Sequence, residues 1–335
     1  MKALVTGGGG FLGRSLVARL RAAGHEVTAA SRGHYPELAA LGARGVRLDV
    51  TDGAAVRSAI RGHDVVFHVA ARAGMWGPRD QFVSTNVTGT ENVIKACRAE
   101  GVGRLVYTSS PSVAFDGRDH ENAGPDLPYP SSFQSVYPET KAVAERLVLA
   151  ANRPDLATVA LRPHLIWGPR DPHLLPRLFA RAASGRLRIV GDGRNKVGIT
   201  YVDNAAVAHV QAAERLAAGA ACAGRAFFIH DPEPVELWPW LNRLLERLGI
   251  PPVTRRVPLG VAQAAGAAAE AVWSILGLAG EPPMTRFVAL QLARSHWYDM
   301  APAREAFGYT PVVGPLEALD ATVSWWAASR SGASS

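Results

Sequence analysis

Thr6-Gly-Gly-Gly-Gly-Phe-Leu-Gly13 constrains the fold of this chain more tightly than any other stretch. Residues 3–6 form a short apolar run that stops at Gly7, and residues 11–23 then carry a helical period that ends at Gly24. Glycines between a strand and a helix let the backbone turn sharply and approach a ligand, while the helix N-terminus faces anionic groups. The spacing is GxxGxxG: Gly7 allows the tight turn, Gly10 lets the backbone approach a pyrophosphate, and Gly13 permits close packing of helix on strand. Phe11 and Leu12 open the helix and complete the candidate dinucleotide cradle. A merely flexible glycine turn would need neither the strand before it nor the helix after it.

Further runs rich in Val and Leu follow at residues 25–31, 45–49, 64–69, 104–109 and 157–161, separated by helical stretches or turns. This alternation predicts an α/β protein, a Rossmann-type doubly wound parallel sheet with ligands at the carboxyl ends of its strands. After Arg162-Pro163 the alternation is lost and proline-punctuated helices and short strands follow. Residues 1–165 therefore read as the dinucleotide-binding domain, with part of the sheet and its helices continuing to about residue 230. Residues 166–330 read mainly as a smaller C-terminal substrate-binding lobe, and 335 residues suffice for both.

The end of the second strand distinguishes NAD from NADP, because an acid there accepts hydrogen bonds from the ribose 2′-OH. Ser31 and Arg32 stand there instead. A guanidinium cannot accept those bonds but can pair with a 2′-phosphate, so NADP(H) is favoured and NAD(H) stays open; the alternative is a solvated loop arginine. Asp49 and Val50, closing the third strand, are placed to meet the adenine, although a helix N-cap role would also suit Asp49.

Tyr137-Pro-Glu-Thr-Lys141 places a phenol and an ammonium at i and i+4, on one helix face. A nearby cation stabilises a phenolate and lowers a pKa that is ordinarily about 10, which would let the pair act as general acid and base. By itself the spacing is a weak sign.

Hydrophobic residues at 48% and charged residues at 19% describe a globular chain. Its two cysteines, Cys97 and Cys222, suggest neither a disulfide framework nor a metal site, and a reducing cytoplasm is the default. The net charge is +7, but the arginines are scattered, which argues against nucleic acid and for phosphate or carboxylate ligands. Met1-Lys2 runs directly into a buried-strand pattern, as in a chain without a signal peptide. Residues 257–280 are apolar, rich in Ala and Gly, and interrupted by Gln263, Glu270 and Ser274. They read as a helix packed against protein; the alternative is a helix at a bilayer, which would make the protein peripherally membrane-associated.

Taken in order, the glycine loop, His68-Val-Ala-Ala71, Asn86-Val-Thr-Gly-Thr90, Ser109-Ser110 and Tyr137-x-x-x-Lys141 resemble the extended short-chain dehydrogenase/reductases over about residues 1–205. Val106-Tyr-Thr-Ser-Ser-Pro-Ser-Val113, Leu161-Arg-Pro-His-Leu-Ile-Trp-Gly-Pro169 and Gly191-Asp-Gly193 are similar to the 3β-hydroxysteroid dehydrogenase branch. Within it, the wording is most similar to sterol-4α-carboxylate 3-dehydrogenases and to bacterial 2-alkyl-3-oxoalkanoate reductases of olefin biosynthesis. The resemblance implies that Tyr137 is the proton donor in reduction or the base in oxidation, and that Lys141 lowers its pKa and holds the nicotinamide ribose. It implies that Ser110 orients the substrate oxygen, although residue type alone makes Ser112 an equal candidate. It also implies that Ala70, Ala71 and Pro163 lie against the cofactor, and that the protein is a homodimer open to association with other lipid-pathway enzymes.

Both similar enzyme groups handle a carboxylic acid with alkyl substitution at C2 and an oxygen at C3, so a lipid-like acid of this kind is the expected substrate. His164, Arg170, His173, Arg177 and Lys196 are candidates to meet its carboxylate, and Met75, Trp76, Trp167, Trp238 and Trp240 to meet its apolar body. A steroid 3β-dehydrogenase is the runner-up. A nucleotide-sugar epimerase or dehydratase and a redox-sensing binding protein rank lower: Pro111 stands where the dehydratases carry an acid, and a sensor needs no Tyr137–Lys141 pair.

Overall fold

Short runs of apolar residues need cover on both faces, and the chain supplies it. The structure, a computed structural model, describes residues 1–332. Seven strands, β1 (Lys2–Thr6), β2 (Glu26–Ser31), β3 (Arg44–Arg47), β4 (Val65–His68), β5 (Arg104–Thr108), β6 (Ala157–Pro163) and β7 (Arg225–Ile229), form one parallel sheet. Their order is β7-β6-β5-β4-β1-β2-β3. The order reverses between β1 and β4, where the loops diverge and leave a crevice at the strands' carboxyl ends. The glycine loop leaves β1 at this point. The alternation read from the sequence is thus a doubly wound α/β sheet, although β3 ends at Arg47, two residues before Asp49.

Side chains alternate across the strands and divide the sheet between two cores. Ala3, Val5, Val65, Phe67 and Val106 join α1 (Phe11–Ala22) on one face, while Leu4, Val66, Leu105 and Tyr107 join α2 (Gly53–Ile60) and α3 (Gly89–Ala99) on the other. The second face is completed by α4 (Val136–Ala150), and α1 packs against α5 (Val202–Arg215). Asp52 caps α2 by accepting the Ala54 and Ala55 N–H groups at 3.0 Å each, so the cap is not Asp49.

Beyond Pro163 a third core gathers Trp167, Phe179, Trp238, Leu241 and Leu245. It includes α6 (Leu237–Arg247) and is flanked by α7 (Leu259–Leu276) and α8 (Arg286–Ala293). A small four-stranded sheet runs in the order Val235–Glu236, Lys196–Val197, His296–Tyr298, His120–Ala123. Its last strand comes from the front half of the chain, and α5 and β7 return to the large sheet, so the two parts are interleaved. Tyr298 stacks on Phe228 at 3.8 Å along their seam. Residues 257–280 are not packed as fully as their composition suggests: in α7 only Ala262 and Gly266 are buried, because its main contact is with α8 and its other side is uncovered.

Several histidines sit wholly inside, and burial is the main cause of their low pKa values: His68 near 3, His209 and His296 near 4, and His164 well below its usual value. The unfolded chain binds protons below about pH 6.5 that the folded chain refuses, so this contribution to stability is present above that pH and shrinks on acidification. The urea midpoint should accordingly fall between pH 6.5 and pH 4.5; a midpoint that holds or rises would contradict the buried neutral histidines.

Candidate active site

Ser135 opens α4 by accepting the Tyr137 N–H at 3.4 Å, and the helix then presents Tyr137, Lys141 and Glu145 at successive i+4 positions of one face. Tyr137 is half-buried, and the other two are buried. Ser110 comes from the loop after β5, where it starts a tight turn, Pro111–Ala114. Its Oγ accepts the Ser112 N–H at 3.3 Å and lies 2.9 Å from the Ser112 Oγ. Ser110 lies close enough to the Tyr137 phenol to favour its ionised form, which distinguishes the two serines: Ser112 braces Ser110, and Ser110 faces the phenol.

Lys141 is anchored at the end of β5. Its Nζ donates to the Thr108 carbonyl at 2.6 Å and lies 4.2 Å from the centre of the Tyr107 ring. Burial pushes the Tyr137 phenol up, opposed by the nearby Ser110 hydroxyl, and burial also brings Lys141 down to about 7, opposed by Glu145. A phenol held up in this way is protonated at neutral pH.

Glu145 carries the site's least expected arrangement. Its carboxylate is fully buried and bidentate with Arg162, Nε to Oε2 at 2.9 Å and Nη2 to Oε1 at 2.7 Å, and the Tyr129 hydroxyl donates to Oε1 at 2.7 Å. Arg162 Nη1 also donates to the Pro125 carbonyl at 3.0 Å. A charge buried this deeply requires a partner of this geometry. The sequence held one signal of it, an acid on the same face as Tyr137 and Lys141, but the partner lies on β6, directly before Pro163.

At the other end of the crevice the glycine loop is held from several sides. The Gly9 N–H donates to Ser31 Oγ at 2.7 Å, so Ser31 shapes the loop. Hydrogen bonds run from Ala70 N–H to Thr6 Oγ1 (3.3 Å) and from Thr6 O–H to His68 Nδ1 (2.8 Å). They continue from His68 Nε2–H to Thr90 Oγ1 (3.0 Å) and from Thr90 O–H to the Asn86 carbonyl (2.6 Å). Asn86, in a π-helical turn (Val83–Thr88), accepts the Arg72 N–H at 2.7 Å and donates to Thr140 Oγ1 at 3.1 Å, fixing the Ala70-Ala71 loop against α4. A Cβ on Gly7 would come within 2.8 Å of Ala70 N and one on Gly13 within 2.1 Å of the Gly7 carbonyl, whereas Gly10 is exposed. No side chain caps α1 and no acid lies in its first turn, which leaves its leading amides for an anion. The loop fits a dinucleotide pyrophosphate. Leu12 and Val50 bury their side chains in the two cores, so only their backbones could face a ligand; Phe11 is half-buried at the start of α1. Arg32 is exposed, and Asp49 accepts both the N–H (3.0 Å) and the hydroxyl (2.9 Å) of Thr51. Those bonds, with Arg32 nearby, hold the Asp49 carboxyl below its usual range.

Residues 4–259 match the 3-beta hydroxysteroid dehydrogenase/isomerase family. The chain belongs to that family. Its members and named relatives are nicotinamide-dependent oxidoreductases of hydroxyl and keto groups, and so is this protein. It is 54% identical to the 2-alkyl-3-oxoalkanoate reductase of Stenotrophomonas maltophilia, over 95% of this chain and 97% of that one. It is 34% identical to the human sterol-4-alpha-carboxylate 3-dehydrogenase, decarboxylating, over 95% and 86%. Among solved structures it resembles MoeE5 in complex with UDP-glucose and NAD, with a TM-score of 0.73 and 26% identity over 98% of this chain and 100% of that one.

Several residues proposed for the substrate lie elsewhere. Trp167 is buried in the lobe core against Tyr201 and Trp240, and Trp238, also buried, donates its indole N–H to the Leu292 carbonyl at 3.2 Å. His164 offers no positive charge to a carboxylate: it is buried and neutral, donating from Nε2 to His296 Nδ1 at 2.6 Å, while His296 donates from Nε2 to the Gln291 carbonyl at 2.9 Å. Arg177 is paired with Glu281. Arg170, His173 and Lys196 are exposed, and Trp76 is half-buried. Sequence reading missed an apolar cluster of Phe115, Phe287 and Leu290 with Met75 against it, just beyond the Ser110 turn.

Tyr137→Phe should lower turnover by about 10²–10⁴-fold while leaving nicotinamide-cofactor affinity within about twofold, measured by steady-state kinetics and fluorescence titration. Near-normal turnover would remove Tyr137 from the chemistry.

Proposed function

We propose that this protein is an NADP(H)-dependent reductase that converts the 3-oxo group of a lipid-like 2-alkyl-substituted carboxylic acid to a 3-hydroxyl. The placement of Ser110 beside a Tyr137 phenol kept protonated by burial, next to a dinucleotide cradle, carries this reading. The 54% identity to a 2-alkyl-3-oxoalkanoate reductase supplies the substrate class.

A bound nicotinamide supplies the hydride. Ser110 holds the carbonyl oxygen, and Tyr137 gives that oxygen its proton as negative charge develops there. Lys141, tied to the Thr108 carbonyl, and Glu145, tied to Arg162, keep the face of α4 that carries Tyr137 in register with the end of β5. The cluster around Phe115 and Met75 supports an apolar wall for the alkyl groups. A β-keto acid loses CO₂ readily and its 3-hydroxy form does not, so reduction also protects the product.

The preference for NADP rests on Arg32, exposed at the end of β2 where an acid would favour NAD. Cys97 and Cys222 are both buried and unpaired, which supports a reducing compartment. The homodimer rests on family resemblance.

Sterol-4-carboxylate oxidation is the second reading, favoured by the 34% identity to the human enzyme. It is tested by assaying NADPH oxidation with a 2-alkyl-3-oxo acid beside NAD reduction with a 3β-hydroxysteroid and a 3β-hydroxysterol 4-carboxylate. The first reaction should dominate; preference for a sterol or steroid would overturn the assignment. Arg32→Ala should raise the KM for NADPH about tenfold or more and leave that for NADH nearly unchanged, whereas equal losses would remove the preference for NADP.

A further inference from the structure

We propose that Tyr107 is a positioning residue for this reaction: the face of its buried ring holds Lys141 as a charged ammonium, one helical turn from the Tyr137 phenol. The inference rests on the reading that the chemistry needs Lys141. Tyr107 and Thr108 are neighbours in β5, and side chains alternate across a strand, so the two leave on opposite sides of the sheet. Thr108 turns toward α5, where its hydroxyl donates to His209 Nε2 at 2.8 Å and the His209 Nδ1–H donates to the Ala205 carbonyl at 2.7 Å. Tyr107 turns into the core shared by α3 and α4 and is buried there. Its ring centre lies 4.2 Å from Lys141 Nζ and 5.7 Å from the centre of the His68 ring.

A buried ammonium needs compensation, and little of the ordinary kind reaches Lys141. Among the described residues no carboxylate lies within ion-pair distance of it, and its hydrogen-bond acceptor is the Thr108 carbonyl at 2.6 Å. Glu145, one turn further along α4, is already bound by Arg162 and Tyr129, so its charge is largely answered. His68 on β4 is neutral, and the Tyr137 phenol is protonated. What remains is the ring.

An aromatic face carries negative charge density, and it holds a cation more strongly in a dry site than at the surface. Tyr107 meets the ammonium as a neutral phenol, because burial, with Glu145 and Tyr137 adding to it, raises its pKa well above the usual value. Its hydroxyl is buried without a hydrogen-bond partner, so the ring is the part that the site uses. Burial brings Lys141 down to about 7, where a modest change in its surroundings decides whether it is charged at neutral pH. A ring face that favours the cation opposes that fall, and its removal would leave Lys141 mostly neutral at pH 7.

NMR of the intact protein with its lysines labelled at Cε reads this charge directly. The chain has four lysines, Lys2, Lys95, Lys141 and Lys196, and Lys141→Met identifies the signal. Tyr107→Phe keeps the ring face and should leave both the Lys141 titration midpoint and turnover nearly unchanged. Tyr107→Leu should lower the midpoint by about one pH unit and move the alkaline limb of kcat/KM down with it. A trifluorinated phenylalanine at position 107 keeps the shape of the ring while drawing charge from its face, so it should lower the midpoint too, and it decides the matter alone where the leucine variant does not fold. A wild-type midpoint in the fluorinated variant would overturn the proposal. So would a large loss of turnover in Tyr107→Phe, which would make the hydroxyl the working part. Near-normal turnover of Lys141→Met would overturn the reading of Lys141 itself, and with it the proposal, even where the midpoints move as expected.

Discussion

A carboxylate with no exposed surface organises the centre of this molecule. Glu145 lies inside α4, and leaving it unpaired there would cost several kcal/mol, so the fold must bring it a cation of matching geometry. Arg162 provides two parallel hydrogen bonds and thereby fixes α4 to β6. Two consequences follow from this single contact. Lys141 and Tyr137, one and two turns earlier, are set against the ends of β5 and the Ser110 turn, and Pro163, one residue after Arg162, is set at the carboxyl edge of the sheet.

The glycine loop imposes the second constraint from the opposite side of the crevice. Gly13 must be glycine because the Gly7 carbonyl occupies the space of its Cβ, and the loop then turns the uncapped start of α1 toward the strand ends. The hydrogen-bond chain from Ala70 through Thr6, His68 and Thr90 to Asn86 links this loop to the neighbouring strand, and Asn86 passes the link on to Thr140 of α4. The phosphate end and the acid/base end are therefore joined by buried polar contacts as well as by the sheet. His68 serves in this chain in a single neutral tautomer, which agrees with its strongly lowered pKa.

Much of this was legible because it is local. Strand and helix periods, the glycine spacing and the i, i+4 relation of Tyr137 and Lys141 depend on residues a few positions apart, and steric rules act at that range. The readings that failed concern side chains whose surroundings come from far along the chain. His164 looked like a cation for a carboxylate until His296, 132 positions away, gave it a partner and burial made it neutral. Trp167 looked like a pocket wall, but Tyr201 and Trp240 enclose it. Lys141, by contrast, shares a face with Tyr137 as expected, and its ammonium donates to the Thr108 carbonyl at the end of β5.

By itself, the sequence determined a parallel α/β sheet, a dinucleotide loop at its first turn and a phenol–ammonium pair on one helix face, since each follows from periodicity and backbone sterics over short spans. Only the tertiary structure decided which serine faces the phenol, that Glu145 and Arg162 are one buried unit, and that the apolar residues of α7 face outward. Burial and charge pairing depend on which distant segments come together, and in α7 the decisive fact is that its neighbours, chiefly α8, cover one side of a helix whose composition suits cover on every side.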